Sequence, residues 1–203
     1  MNIKDTILEQ AIKLFQKEGI DANSEEAIRQ KLDISQATYN GLFANKEDLV
    51  KQAIEHDMTV QEEFQKDLLK NAGSSVDEIL ILIQNGIKNM QQTNPVYISD
   101  LIQHYPRVWK ICLEYLNSNS YHQIYDILNR GVQAGDFRKD LNLQLVTKIM
   151  LEMVSLMLNP QTFPPDKFNL AEVYRSIYLY YIRGLCTDTG AKNAETYFSK
   201  LSI

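Results

Sequence analysis

The stretch Ser24–Leu49, SEEAIRQKLDISQATYNGLFANKEDL, contains the local signals that decide the fold of the N-terminal part of the chain. Ser24 is a good N-cap for a short helix with apolar residues on one face. Asp33 is predicted to end that helix, and Ser35 is predicted to cap a second short helix, Gln36 to Leu42. The stretch therefore predicts two short helices joined by a tight turn.

A third helix is predicted to begin directly after this pair. Asn45 is its N-cap, and the acidic residues Glu47 and Asp48 suit the positive end of a helix dipole. In the second short helix, Thr38 and Tyr39 are expected to face outward. Two short helices, the second with small polar residues outward, form an arrangement that fits a DNA major groove.

Many residues of the N-terminal segment match the residue pattern of one protein family in register. They are Ile7, Ala11, Leu14, Phe15, Gly19, Ser24, Ile28, Ile34, Ser35, Ala37, Thr38, Phe43, Lys46, Glu47 and Leu49. On these positions the N-terminal segment resembles the tetracycline-repressor (TetR) family of bacterial transcription regulators. Two positions depart from the family. Asp33 stands where glycine is usual, and aspartate tolerates turn geometry. Asn40 stands where tyrosine is usual, so a common phosphate-contacting hydroxyl is missing.

The resemblance implies an all-α chain with a three-helix DNA-binding domain at residues 1–48 and a larger helical regulatory and dimerisation domain at residues 49–203. It implies a dimeric repressor that binds a palindromic double-stranded operator and is released by a small, largely apolar molecule. Thr38 and Lys46 stand at positions that contact DNA in the family, so the resemblance implies that both contact DNA here. The full set of expected DNA-binding residues is Ser24, Ser35, Gln36, Ala37, Thr38, Tyr39, Asn40 and Lys46.

The charge of the chain weakens the DNA hypothesis and keeps a rival open. The net charge is −5, and residues 1–56 contain seven cationic and ten acidic side chains, a net charge of −3. A strong electrostatic footprint for nucleic acid is therefore absent, and weak non-specific affinity is expected. The alternative is a helical binding or adaptor protein that has kept the fold and lost operator binding.

The rest of the sequence favours long helices and a cytoplasmic protein. It has only 8 glycines and 5 prolines, and alternating strand patterns are hard to find. There is no run of about twenty apolar residues and no signal-peptide pattern, so neither a membrane span nor a membrane partner is expected. The first predicted helix after this domain is about 45–70, with Phe64 inward. The next is 75–92, with Ser75 and Glu78 as a capping box. The others are about 95–104, 106–116, 118 or 120 to the stretch 131–135, 143–158, 170–186 and 193–201.

The two helices at about 143–158 and 170–186 are apolar around more than half a turn. A long apolar patch of this kind usually marks an interface. We expect them to form a four-helix interface with a second copy of the chain. The residues expected at this interface are Met150, Val154, Tyr174, Ile177 and Tyr181.

Aromatic residues and methionines in the second half of the chain suggest an internal ligand pocket, because such residues combine apolar area with polar groups. For any single residue, core packing is the better interpretation. The expected lining is Tyr97, Leu101, Tyr105, Trp109, Tyr121, Tyr125 and Met153, with His104 or His122 as a polar anchor.

Enzyme and cofactor motifs are not found. The three histidines have no metal-ligand spacing, and there is no phosphate-binding glycine loop or nucleophile motif. Cys112 and Cys186 are expected to be free thiols in a reducing compartment. The sequence therefore predicts no metal, no cofactor and no enzyme, although an enzyme site assembled from distant residues stays a second rival.

Overall fold

The protein is all-α, as expected from the scarcity of glycine and proline. The computed structural model describes residues 2–195, which form helices and loops with one isolated antiparallel bridge, between Phe137 and Cys186. The helices in chain order are α1 (Ile3–Glu18), α2 (Glu25–Lys31), α3 (Gln36–Leu42), α4 (Lys46–Leu69), α5 (Ser75–Gln92), α6 (Pro95–His104), α7 (Pro106–Tyr115), α8 (Tyr121–Ala134), α9 (Leu143–Met157), α10 (Leu170–Leu185) and α11 (Asp188–Asn193).

The described residues fall into two compact units. The first comprises the residues up to Lys66 together with Gln92–Cys112, and the second comprises Asp67–Gln91 together with the residues from Leu113 onward. The chain passes between the units within α4, at the last residue of α5, and within α7. The predicted functional boundary after residue 48 lies near the start of α4, inside the first unit.

The core of the first unit joins the three N-terminal helices to α4, α6 and α7. Phe15 on α1, Ile28 on α2 and Leu49 on α4 have no exposed surface, and α6 contributes Tyr97 and Leu101 to the same apolar cluster. Burial of each large apolar side chain is worth about 1.5–3 kcal/mol, so this cluster is what holds the short helices in place. The helix-turn-helix is therefore supported by a segment of chain some distance away in sequence.

The second unit is built around α5, α8, α9 and α10. A turn follows α8, with Gly135 in the left-handed conformation at φ 84°. Phe137 has no exposed surface and packs against Gly131, where an added Cβ would lie 2.3 Å from the ring. The hydroxyl of Tyr178 on α10 donates a 2.5 Å hydrogen bond to the carbonyl of Met150 on α9. Buried apolar side chains of all four helices pack in one cluster, which is the core of the unit.

Three helix predictions need correction. The N-cap of α5 is Ser74, whose Oγ accepts a hydrogen bond from the Asp77 N–H at 3.1 Å, and not Ser75. Phe64 on α4 is 49% exposed, so the prediction that it faces inward is wrong. The predicted break before α8 is absent, because Leu116–Ser120 is a π-helical turn that continues the helix.

In that turn, the side chain of Asn117 donates a hydrogen bond to the Leu113 carbonyl, and the Ser118 hydroxyl donates one to the Glu114 carbonyl. Such back-bonding satisfies carbonyls while the regular ladder is interrupted. The final predicted helix, 193–201, falls largely outside the described residues. The short helix α11, capped by Thr187, was not predicted.

Candidate nucleic-acid interface

The turn between α2 and α3 forms as the sequence predicts. Ser24 Oγ accepts a hydrogen bond from the Ala27 N–H at 3.1 Å, and Ser35 Oγ accepts one from the Thr38 N–H at 3.0 Å. Between these two caps, Asp33 has φ 51°, and it is the only non-glycine residue with positive φ among those that the structure describes. Aspartate enters this left-handed region more readily than most residues, so it replaces glycine there at low cost.

The two faces of α3 differ in solvent exposure. Tyr39 is only 1% exposed and its ring lies 5.5 Å from the Phe43 ring, edge to face. The prediction that Tyr39 faces outward is therefore wrong. The reason is helical spacing, because residues four apart share a face and Phe43 is part of the core. Burial, with the Glu25 carboxylate nearby, raises the pKa of Tyr39 to about 12.

The opposite face of α3 is exposed and polar. Gln36, Ala37, Asn40 and Gly41 are all exposed. Gln36 Nε2 donates a 2.6 Å hydrogen bond to Asn40 Oδ1, which links the two amides along the helix surface. Thr38 is half-buried, and its hydroxyl lies 2.9 Å from the capping Ser35 Oγ. Of the residues on α3 that were expected at the DNA, Gln36, Ala37 and Asn40 are therefore on its open surface, together with Gly41.

Lys46 lies at the first turn of α4 in a partly acidic setting. Its backbone N–H donates a 2.8 Å hydrogen bond to Glu25 Oε1 of α2. Partial burial lowers the pKa of its ammonium group, while Asp21, Asp100 and Glu25 act in the opposite direction. A half-buried lysine beside carboxylates is a weaker phosphate ligand than a free one, because the carboxylates compete for it.

A buried carboxylate that the sequence pattern does not reveal fixes the loop before α2. Asp100 Oδ2 accepts hydrogen bonds from the N–H groups of Ile20 at 2.7 Å and Asp21 at 2.9 Å. Asp21, Asp100 and His104 each have an atom of a kind that can ligate a metal ion, and these atoms lie within 4.8 Å of one another. The two backbone donors account for the burial of Asp100 without an ion.

The residues expected to line a ligand pocket are divided between the units. Tyr97, Leu101, His104, Tyr105 and Trp109 belong to the first unit, and Tyr121, His122, Tyr125 and Met153 to the second. In the first group Tyr97, Leu101 and Tyr105 are buried in the apolar cluster. His104 is exposed, with Nδ1 3.5 Å from Asp21 Oδ2.

In the second group, the rings of Tyr121 and Tyr125 stack with centroids 6.1 Å apart, and His122 meets Tyr121 edge-on. Met153 also borders a surface cavity of about 500 Å³ on α9. The pocket stays a prediction.

The expected dimer residues also lie partly inside the protomer. Met150 is 3% exposed, so its placement at an interface is wrong. Tyr174 packs on α5, where a Cβ added to Gly86 would lie 2.6 Å from its hydroxyl. Val154, Ile177 and Tyr181 are partly buried against the core of the second unit.

The apolar side chains that α9 does expose are Leu145, Ile149 and Leu156. They share one face by helical spacing, turned by about 100° from the face of Val146 and Met150. On α10, Tyr180 is the exposed aromatic residue, at 70%. The exposed large apolar residues of these two helices are named the α9–α10 apolar face, defined by Leu145, Ile149, Leu156 and Tyr180.

Both cysteines are free, Cys186 buried and Cys112 half-buried, as the sequence predicts. No helix in the described part of the chain is both long enough and apolar enough to cross a membrane.

These features define the class of the protein: a helix-turn-helix protein with further helices that form a second compact unit. Residues 7–53 match the family profile described as bacterial regulatory proteins, tetR family. The match spans most of α1, all of α2 and α3, and the start of α4. No curated protein matches the chain.

Solved structures of transcriptional regulators share the fold at low sequence identity. A transcriptional regulator from Cytophaga hutchinsonii ATCC 33406 has a TM-score of 0.70 at 14% identity, over 90% of this chain and 98% of that one. The fatty acid degradation regulator FadR from Bacillus halodurans has a TM-score of 0.68 at 16% identity, over 91% and 97%. A cysteine mutant of the regulator CifR, solved with a 26 bp double-strand operator, has a TM-score of 0.64 at 17% identity, over 88% and 95%.

Proposed function

We propose that this chain is a cytoplasmic transcription regulator that binds operator DNA as a dimer through the exposed face of α3. The observation that carries the proposal is the two-sided nature of that helix. Tyr39 and Phe43 anchor it in a core, while Gln36, Ala37 and Asn40 stay exposed. A rigidly held helix with an open polar face is what major-groove reading requires. The CifR structure with operator DNA supports the same use of the fold.

The dimer is proposed to form through the α9–α10 apolar face. Its exposed residues lie on two neighbouring helices of one unit, and a second copy would bury them in a self-complementary way. An isologous interface of this kind gives two recognition helices related by a two-fold axis. Such a pair matches a palindromic operator with half-sites about 34–36 Å apart, or a multiple of that distance.

We propose further that the regulator is a repressor, and that a small, largely apolar molecule releases it from DNA. The support is the aromatic content of α6 to α8 and the similarity to a regulator of fatty acid degradation. A ligand releases DNA only if it binds better to a state that cannot engage both half-sites. Tyr125→Ala should then reduce release by the ligand in an anisotropy assay while operator affinity stays unchanged.

The adaptor alternative is supported by one observation, the acidic balance of the N-terminal segment. A fluorescence-anisotropy titration of the full chain against duplex DNA from upstream of its own coding sequence separates the two. The regulator predicts saturable binding that weakens as salt rises and is competed poorly by unrelated duplex. Equal, weak binding to both duplexes would contradict the proposal and favour the adaptor.

A further inference from the structure

The exposed face of α3 bears no charge. The helix sequence QATYNGL contains no acidic or basic residue, and its exposed side chains are two amides and a methyl group. In the major groove, arginine and lysine are the usual readers of guanine, and glutamate or aspartate reads cytosine. Asparagine and glutamine read adenine, and small apolar groups contact the methyl of thymine. This surface therefore has the chemistry for one kind of base pair.

The two amides are held together as well as exposed. The hydrogen bond from Gln36 Nε2 to Asn40 Oδ1 measures 2.6 Å and spans one helical turn. It limits the rotamers of both side chains, which reduces the entropy lost on binding. It also leaves each amide with at least one free N–H and one free oxygen lone pair. A donor beside an acceptor is the pattern that adenine N7 and N6 require.

We infer that the base pairs facing α3 in the operator are A·T pairs, with Gln36 and Asn40 reading adenines and Ala37 contacting a thymine methyl. This inference rests on the proposed function and adds the sequence class of the DNA. Asn40 is then a base-reading residue, and no phosphate contact is assigned to it. The cationic residue nearest to α3 along the chain is Lys46, at the start of the next helix. Its proposed contact is with the sugar-phosphate backbone.

The first experiment is a selection of a random-sequence duplex library with the full-length protein. We expect the enriched sequences to share half-sites with at least two A·T pairs at fixed positions. Enriched half-sites with guanine or cytosine at every fixed position would overturn the inference and leave the proposed function standing. Failure to enrich any sequence would overturn the proposed function, and the inference with it.

The second experiment uses the selected duplex with single-atom changes. Replacing a contacted adenine by 7-deazaadenine removes N7, and we expect a loss of affinity of roughly tenfold. Replacing the contacted thymine by uracil removes one methyl group, and we expect a loss of about fourfold. If no position in the half-site responds to either change, the A·T pairs were selected for DNA shape, and the inference is wrong.

Protein variants assign the contacts to residues. Gln36→Leu should make binding insensitive to 7-deazaadenine at one position, and Asn40→Leu at a different position. The matched control is Gln103→Leu, because Gln103 is an exposed glutamine on α6 whose Nε2 donates to Ser99 Oγ at 3.0 Å. The control should keep the full response at both positions. If Asn40→Leu weakened all duplexes equally and left every deaza response intact, Asn40 would be a backbone contact and its role here would be refuted.

Discussion

The carboxylate of Asp100 accepts a 2.7 Å hydrogen bond from the backbone N–H of Ile20, a residue eighty positions earlier in the chain. The same oxygen accepts a second bond from the N–H of Asp21. Through these bonds α6 holds the loop that leads into the helix-turn-helix. The position of α2 and α3 thus depends on a residue far outside the segment that matches the family profile.

Removing the Asp100 carboxylate should destabilise the protein. Asp100 is 7% exposed, so Asp100→Ala leaves two backbone donors without an acceptor, at a cost of about 1–3 kcal/mol. Asp100→Asn keeps an amide oxygen and should cost less. Urea denaturation gives the free energy of unfolding, and Asp126→Ala on the exposed surface of α8 is the control. Equal effects of the two alanine variants would show that Asp100 does not hold the loop.

Compared with alanine, glycine at position 41 should lower the stability of the fold and strengthen DNA binding. It is exposed near the end of α3, and an added Cβ would meet no atom within 4 Å. Gly41→Ala should therefore raise the free energy of unfolding by up to about 1 kcal/mol. It should weaken DNA binding, because glycine permits the closest approach of a backbone. Gly131→Ala is the contrast, since Phe137 occupies its Cβ position and thermal unfolding should occur at lower temperature. An unchanged DNA affinity in Gly41→Ala would remove Gly41 from the interface.

Lys46 should contribute affinity without sequence preference. Lys46→Ala removes a charge at the start of α4, so binding to all duplexes should weaken alike. The slope of log affinity against log salt concentration should become shallower by about one per half-site. Anisotropy titrations at several salt concentrations measure this slope, with Lys66→Ala on the same helix as the control. A changed sequence preference with an unchanged slope would assign Lys46 to base reading instead.

The α9–α10 apolar face should control the oligomeric state. Ile149→Glu places a charge on the exposed side of α9 and should give a folded monomer by analytical ultracentrifugation at micromolar concentration. Met150→Glu places the charge in the core and should unfold the protein, because an unpaired buried carboxylate is strongly unfavourable. Val60→Glu, at an exposed apolar position on α4, is the matched control. A dimer that persists in Ile149→Glu would place the interface elsewhere.

Acid should weaken the start of α4 through Asp48. A hydrogen bond from the Ala44 N–H, followed by one from Gln52, lowers the pKa of the Asp48 carboxyl. The folded state therefore binds this proton less readily than the unfolded state. The stabilisation is present above the unfolded pKa, near 3.9, and is lost as pH falls from there through the lowered folded pKa. Asp48→Asn should reduce stability at pH 6 and converge with the original chain at low pH.

An NMR titration of the Asp48 carboxyl in Gln52→Leu checks the cause. The loss of one hydrogen-bond donor should move the pKa back toward its usual value. A titration curve that is identical with and without Gln52 would show that this hydrogen bond does not lower the pKa.

Much of the helix-turn-helix could be predicted from the sequence because its signals are local. Ser24, Ser35 and Asn45 act as caps through side chains that bond backbone groups only three residues away. Asp33 fits its turn by its own conformational preference. These interactions join residues only a few positions apart, so they can be predicted from the local sequence.

The orientation of individual side chains could not be predicted in the same way. Tyr39 could face DNA or the core as far as its type indicates, because a tyrosine combines an apolar ring with a polar hydroxyl. Tyr39 is buried because Phe43 lies one helical turn later and both rings pack in the same apolar cluster. Asp100 was likewise indistinguishable from any other helical aspartate until its distance to Ile20 was known.

The sequence by itself determined that the chain is helical, where most helices begin, and that its N-terminal segment has the residue pattern of the TetR family. Each of these follows from local capping, hydrophobic period or a pattern of residue types in register. Only the tertiary structure decided which apolar residues of α9 are core and which are free. The helix is apolar nearly all round, so its period does not distinguish Met150 from Ile149. The packing of α10 against one side, with Tyr178 bonded to the Met150 carbonyl, makes that distinction.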